Sequence, residues 1–593
     1  MSDVPAHLQS IDRMIDQGRY EQARAALTRV LAGNPRDDDG TMLMVYLCGK
    51  MGDLVRACFY AEKAVSLLPD DPRAHANLVL ALGDCGRHAE AVAAAERAAA
   101  RLPDSPEIAG SLVMALGKAE RLAAALREAE RAAERWGDGA QLQNAASMAL
   151  NTGHAARSVE WWRRGVRAVP DNPVLASGLV STLNYSDRTD PGEIRPLLDA
   201  YAAILSRALG PPSDRWNVTP DPERPLRVGV LSPDFRRHAT SYFIRPFLEH
   251  HDRNMTEIVC FSTSTIEDEV SSEMRSLVSG WRRTPKMLVT DLHRVIVEER
   301  IDVLIDLAGH TLGNALGSLH LKAAPVQMTW IGYPASTGVP SVDYRIVDSL
   351  SDPPDEPWTG PERPLRIDPC FLVYRPPASA PPVAPCPFDS TGHITFGSFS
   401  AIQKVTDSTV RMWTRVLRAV PGSRLLYKAV ALKDPLLVEI VRDRFAAAGA
   451  DTDRVMLEPP GDGALEMMRQ YSRVDISLDT FPYHGTTTTC ESAWMGVPMV
   501  ALRGRWSAAR VNCSLLSAVG LGDLVAGTED EFVELAAGLA ADRERLTRLR
   551  SPGPEGLRVQ MAASPLRDEV GATRRLETAI RACWREWCAS LAR

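Results

Sequence analysis

Several features are missing from this 593-residue chain, and each absence removes a class of function. No apolar run approaches the roughly 18 residues that a membrane-spanning helix needs, so no span is expected. The first residues, MSDVPAHLQSIDRM, lack the basic lead and apolar core of a secretory signal, so none is expected. A basic excess is also lacking: Lys and Arg number 68 against 75 Asp and Glu, a net charge of −7, which argues against a nucleic-acid-binding face. The ten cysteines form no CxxC pair, and the nearest two are Cys583 and Cys588. Free thiols in a reducing cytoplasm are the expectation. No HExxH, Walker A or GxSxG motif occurs. The DxD at Asp451 to Asp453 lies between a helix and a strand beside Arg454 and is read as a turn, and no metal site is expected.

What is present first is a repeat. Gly18, Gly52, Gly86, Glu120 and Gly153 are spaced by 34, 34, 34 and 33 residues. Ala23, Ala57, Ala91, Ala125 and Ser158 keep step, as do the mostly small Val30, Ala64, Ala98, Ala132 and Gly165. Pro35, Pro69, Pro103, Gly137 and Pro170 close the units and are expected to start the next one, where a missing N–H costs nothing. The period and pattern are those of tetratricopeptide helix pairs. Such arrays stack into a superhelix that binds peptides, or serve as a scaffold or dimerisation arm.

After residue 172 the pattern changes. Asn184, Asp187, Asp190, Pro191 and Gly192 mark a loop, and Glu193 to Leu209 is expected to be a helix ended by Gly210-Pro211-Pro212. Apolar runs at Leu226–Ser232, Ile258–Phe261, Ile301–Leu307, Val326–Ile331 and Tyr344–Val347 predict buried strands with helices between them. A second series begins at Ile394–Gly397 and continues through Leu425–Tyr427, Val455–Leu457, Val474–Asp479 and Val497–Leu502. Between the series, Pro376 to Pro387 holds six prolines and is read as a linker. Two α/β halves of this kind bind ligands at the carboxyl ends of their strands. The expected order is a repeat array over 1–172, a helical transition over 173–222, α/β halves over 223–380 and 381–574, and an amphipathic helix over 575–593 with Trp584 and Trp587.

The candidate site residues lie just past predicted strands. His238 follows the first strand and His310 the third, in Gly309-His310-Thr311. Histidine there can act as a general base, orient a substrate, or simply be structural. The Trp330 to Gly338 loop is read as a plain turn. Lys404 follows the first strand of the second half, where it can reach a phosphate as a point charge or stay solvated. Thr486 to Thr489 precede a helix predicted over Cys490–Gly496. A helix start with orphan N–H donors and a positive dipole end suits a phosphate, though a threonine-rich cap on an ordinary helix has the same sequence.

Taken together, these motifs resemble glycosyltransferase family 41, the O-linked N-acetylglucosamine transferase and SPINDLY group. The carriers are SPDFRRHATSYF at 232–243, DLAGHTLGN at 306–314, APVQMTWIGYPASTG at 324–338, FGSFSAIQKV at 396–405 and DTFPYHGTTTTCESAWMGVPMV at 479–500. The resemblance implies an α-helical tetratricopeptide-repeat solenoid followed by an α/β GT-B fold of two Rossmann-like domains. It implies inverting transfer of a sugar from a nucleotide donor to serine or threonine hydroxyls, with no cofactor and no essential metal. By position, Lys404 matches the lysine on the donor diphosphate, Thr487 and Thr488 the threonines that bind it, and Glu491 an acidic residue near the ribose. Thr486 starts the same helix. His238 matches a histidine near the reacting centre, as base or positioning group, and His310 and Thr311 would line the same cleft.

The sequence also departs from the family. Ser400-Ala401 replace an Asn that often precedes the lysine, Thr486 stands where animal members carry histidine, and Ala315 replaces an arginine. Ala464 and Met467 fall where those members have a donor-contacting lysine and histidine. These positions bear on the donor, for which UDP-N-acetylglucosamine is the family default and GDP-sugars or CMP-nonulosonic acids are the alternatives. With about five repeats, the chain resembles bacterial members that modify flagellins. The expected partners are therefore an acceptor protein, with flagellin the first guess, and a nucleotide sugar. The rival expectations are a repeat adaptor with a degenerate transferase domain, and a transferase acting on glycans or small molecules.

Overall fold

A computed structural model describes residues 5–356 and 360–591. The chain forms two compact units: residues up to Thr152 with Glu160–Ala168, and Gly153–Val159 with Val169 onward.

The first unit is built from antiparallel helix pairs, among them Asp38–Met51 with Leu54–Leu67, Pro72–Asp84 with His88–Arg101, and Pro106–Lys118 with Leu122–Trp136. The repeat positions have clear physical roles. Gly18, Gly52 and Gly86 turn the chain between helices with φ of 71°, 74° and 75°, a left-handed conformation that glycine adopts without a Cβ penalty. Glu120 takes the same turn with φ 59° and bears that penalty. Ala57, Ala64, Ala91, Ala98, Ala125 and Ala132 are buried where helices approach closely. The prolines differ from expectation. Pro72 and Pro106 occupy the first helical turn, whereas Pro69 and Pro103 lie in the turn before it. Asp71 and Ser105 supply the caps, accepting from Arg73 N and Ile108 N.

The second unit opens with helices Pro173–Leu183 and Pro191–Leu209, so Pro191 and Gly192 belong to a helix rather than the predicted loop. A seven-stranded parallel sheet follows: β1 Leu226–Ser232, β2 Thr256–Ser262, β3 Gly280–Arg283, β4 Val303–Asp306, β5 Val326–Thr329, β6 Tyr344–Val347 and β7 Arg363–Arg366, in the order β3-β2-β1-β4-β5-β6-β7. Alternate side chains feed two cores. Val228, Val230, Ile258, Cys260, Val303 and Ile305 pack with Phe247 and, from the far end of the chain, Leu576, Ile580 and Trp584. Leu231, Val259, Phe261 and Leu304 pack on the other face with Tyr201, Ile204 and Leu205. The terminal helix begins at Glu569, not Arg575, and runs to Ser590; Ala592 and Arg593 lie outside the described residues. It returns to the first sheet, where Trp584 Nε1 donates to Asp221 O at 2.9 Å.

A six-stranded parallel sheet forms the second half: β8 Thr395–Ser398, β9 Arg424–Lys428, β10 Val455–Glu458, β11 Ile476–Leu478, β12 Met499–Leu502 and β13 Val525–Ala526, in the order β10-β9-β8-β11-β12-β13. The order reverses at β8 and β11, and the loops after these two strands form the switch point where such sheets take ligands. The Asp451 to Asp453 segment is a short 3₁₀ turn in which Asp451 accepts from Asp453 N. Among the described residues no helix is long and apolar enough to cross a membrane.

Candidate functional site

The switch-point loops carry Lys404 and the threonine run. Past β11, Asp479 is buried and organises the turn: its Oδ1 accepts from Gly485 N at 2.9 Å and its Oδ2 from Asn512 Nδ2 at 2.5 Å. Gly485 is required there, because a Cβ would stand 2.6 Å from the Thr488 hydroxyl and 3.3 Å from the Asp479 carboxylate. His484 is pinned as a neutral ring. Its Nε2–H donates to Leu502 O at 2.8 Å, and its Nδ1 accepts from Asn512 N at 3.1 Å. Burial pushes its pKa down, which fits that pairing.

Lys404 reaches this turn from a 3₁₀ segment, Ile402–Lys404, after β8. Its Nζ donates to His484 O at 2.7 Å and sits 4.4 Å from the centre of the Tyr483 ring. Burial lowers the ammonium to about 8, against the attraction of Asp479. The lysine is therefore held at the mouth of the threonine helix rather than solvated.

The helix itself spans Thr487–Trp494, so the threonines form its first turn rather than preceding it. Thr486 is the N-cap and makes no side-chain cap bond. The N–H groups of Thr486 to Thr489 find no acceptor among the described residues. One turn on, Glu491 is 7% exposed, and burial raises its carboxyl to about 8. No donor or cation among the described residues pairs with that carboxyl. A buried, unpaired carboxyl and a row of open N–H donors are costly unless a ligand completes them.

The first half faces this helix. Tyr242, in the helix that follows His238, lies close enough to Glu491 for the carboxylate to help raise its phenol, after burial. His238 itself lines a cavity of about 560 Å³ whose walls come from the loops after β1 to β5, including Thr263, Lys286, Thr311, Asn314 and Gly332. Its Nδ1 lies 3.1 Å from Thr240 Oγ1, 3.3 Å from Thr240 N and 3.5 Å from Asp234 Oδ2. An Nδ1–H bonded to Thr240 Oγ1 leaves the Nε2 lone pair free, as a base requires, whereas donation by Thr240 N selects the opposite tautomer. Burial lowers the His238 pKa, so the ring is neutral near pH 7.

His310 does not join this group. Both its nitrogens are used inside the protein, Nδ1 with Ser177 Oγ and Nε2 with Thr337 O, each at 2.8 Å. Burial holds it down to about 4, so the ring is neutral at pH 7, and neither nitrogen is left free to face the cavity. Its neighbour Thr311 does line the cavity, with its hydroxyl donating to Ala308 O at 2.8 Å. Asp306 sets that turn by accepting from Gly309 N at 2.7 Å and Ala308 N at 3.2 Å. The next loop is more than a plain turn. Ile331 has φ 63°, a strained state for a β-branched residue, and a Cβ on Gly332 would stand 2.0 Å from Leu307 O.

Sequence reasoning missed Asp479, His484 and Asn512, which shape the Lys404 turn. The first two had a visible signal, a strand-end acid and a histidine in one tight turn. Asn512 had none.

Comparison with known proteins identifies the family and the fold. The model of Glycosyl transferase family 41 matches residues 213–358 and 389–562. The chain is similar to the probable UDP-N-acetylglucosamine–peptide N-acetylglucosaminyltransferase SPINDLY of Arabidopsis thaliana, at 42% identity over 388 residues, covering 64% of this chain and 42% of that protein. The rice protein of the same description is 39% identical over 440 residues, covering 72% and 46%. The match thus spans less than half the length of these plant relatives. Among solved structures, an O-GlcNAc transferase of Thermobaculum terrenum, solved as a lysine-to-methionine mutant, aligns with a TM-score of 0.78 at 28% identity, covering 93% of this chain and 98% of that one. A helical repeat segment followed by two parallel-sheet α/β halves is the arrangement of such transferases, the GT-B fold. The chain belongs to glycosyl transferase family 41.

Proposed function

We propose that the chain is an inverting protein O-glycosyltransferase of the cytoplasm that moves a sugar from a nucleotide donor to a serine or threonine hydroxyl. The observation that supports this most is the open row of N–H donors at Thr486 to Thr489 beside an ammonium already fixed on the same turn. That combination suits a diphosphate. The relatives' names point to UDP-N-acetylglucosamine as the donor and to peptide as the acceptor.

In this reading the acceptor hydroxyl attacks the anomeric carbon from the side of the His238 cavity. The bond from that carbon to the diphosphate oxygen breaks, and the leaving nucleotide takes the electron pair. Lys404 and the helix-start N–H groups stabilise the charge that develops on it. Glu491 would complete its hydrogen bonding on the nucleotide ribose. His238, with Nε2 free, would take or orient the hydroxyl proton. The repeat unit would recruit the acceptor protein, of which flagellin is one testable case. The presence of Lys404, Thr487, Thr488 and Glu491 favours this reading over a repeat adaptor with a degenerate transferase domain.

Intact-mass analysis of acceptor proteins co-expressed with this chain tests the proposal. A mass increase of one sugar that vanishes with Lys404→Ala is expected. No sugar on any acceptor, with UDP, GDP and CMP sugars all supplied, would overturn it.

A further inference from the structure

The turn between the two helices that precede the first sheet holds both α/β halves at once. Asn184 Nδ2 donates to Tyr333 OH at 2.8 Å, and Tyr333 packs against Gly309 in the first half. The next residue, Tyr185, stacks on Tyr483 of the second half, with ring centres 4.4 Å apart and planes 17° from parallel. Two residues on, Asp187 Oδ2 accepts from Ser408 N at 3.0 Å. Ser408 sits between Thr406 and Thr409, whose hydroxyls both donate to Phe481 O, at 2.8 and 2.9 Å. The loop that carries Tyr483 is thus gripped from two sides by one four-residue turn.

The consequence falls on Lys404. Its ammonium lies over the Tyr483 ring, and that ring in turn stacks on Tyr185. We propose that Tyr185 is a positioning residue: it fixes the Tyr483 ring and through it the Lys404 ammonium, and with Asn184 it sets the spacing between the diphosphate turn and the Gly309-His310-Thr311 loop across which transfer occurs. Tyr185 touches neither reacting group. The inference rests on the proposed donor site, and the experiment separates the two.

The groups facing Lys404 are the Asp479 carboxylate, the neutral His484 ring and the Tyr483 phenol, with Tyr185 behind it. Burial pushes both phenols up and His484 down, so Lys404 is the first of these to lose charge as pH rises above neutrality.

The test uses the full chain with Tyr185→Phe and Tyr185→Leu, and UDP, GDP and CMP as calorimetric probes. Nucleotide binding by the parent to none of the three would refute the donor site itself. Given binding, Tyr185→Phe should stay within about twofold of the parent, because the stack is retained. Tyr185→Leu keeps a smaller apolar side chain but loses the stack, and affinity should fall roughly 3- to 10-fold. Its acceptor KM should not move. The loss of binding with rising pH, near 8 in the parent, should shift upward in Tyr185→Leu as water reaches the ammonium. The inference is overturned if Leu binds like the parent, if Phe loses as much as Leu, or if donor and acceptor weaken together. A Leu variant that fails to fold also overturns it, since the ring would then be a folding element.

Discussion

Lys404→Met separates the cost of this site from its use. In the empty protein the ammonium is buried against the Tyr483 ring and lowered from an ordinary 10.5 to about 8. That drop is the net of burial against the pull of Asp479, and amounts to roughly 3 kcal/mol by the usual conversion. The side chain keeps some exposed surface, so a realistic gain on removing the charge is on the order of 1–2 kcal/mol. Methionine fills most of the same volume without a charge to desolvate. The variant should therefore melt about 1–3 °C above the parent at pH 7. The sign follows from linkage. Both folded and unfolded lysine are charged at pH 7, so the full cost is present there. Between about pH 8 and 10.5 the folded lysine loses its proton while the unfolded one keeps it, and the parent recovers. The advantage of the variant should shrink over that window.

Nucleotide should reverse the order. At 100 times its Kd, a nucleotide adds about 2.7 kcal/mol to the protein that binds it, and only the parent keeps the ammonium. Transfer by the variant should fall on the order of a hundred- to a thousand-fold. Calorimetric melts at pH 7 and 9.5, with and without UDP, GDP or CMP, show both effects. A variant less stable than the parent without nucleotide at pH 7, or stabilised equally by nucleotide, would refute the reasoning.

Three further outcomes follow from single residues. Glu120→Gly should stabilise the repeat unit by about 0.5–1 kcal/mol, since glycine relieves the left-handed strain at a position where Gly18, Gly52 and Gly86 already do so; a urea titration giving no gain would show that the turn is not strained. Glu491→Gln should change the pH dependence of the empty protein. The parent carboxyl holds its proton to about pH 8 when folded, so its stabilising effect is full below the unfolded value near 4.5 and is lost as pH rises through 8. The variant should lose less stability than the parent between pH 5 and 8.5, and parallel melting curves would count against a buried neutral carboxyl. His310→Phe should lose about 1–3 kcal/mol, because Ser177 Oγ and Thr337 O are left without partners, while the folded fraction keeps turnover within several-fold of the parent. A stable but inactive variant would return His310 to the catalytic centre.

How far the sequence revealed this molecule depended on which force placed each residue. Mostly apolar runs showed where β1 and β6 lie, because a strand buried on both faces is largely apolar, even though Arg227 and Arg345 interrupt these two. The edge strands β3 and β7 escaped notice for the converse reason. Gly280-Trp281-Arg282-Arg283 and Arg363-Pro364-Leu365-Arg366 are charged and half exposed, and they are strands only because β2 and β6 offer them a ladder. The threonine run was visible, but its place inside the first helical turn was not. Hydroxyl residues cap helices so often that the helix was expected to start after them. Here the cap side chain makes no bond to the helix, and the donors stay open.

His310 and Thr311, in the Gly309-His310-Thr311 turn, show the limit more sharply. They are adjacent, and motif position treated them alike. The backbone turns between them, so one is consumed by Ser177 and Thr337 while the other borders the cavity. Which side of a turn a residue faces is decided by the elements packed against it, and those come from far along the chain. The same holds for the parts that shape the Lys404 site. Asp479, His484 and Asn512 are buried polar residues bonded to one another and to the backbone of Gly485 and Leu502, so their identity matters through this network rather than through any spacing. A motif therefore identifies groups that meet a ligand, because those groups share one local segment. The residues that hold them in place are dispersed, and only the folded chain shows that a tyrosine from the helical transition supports a loop of the second half.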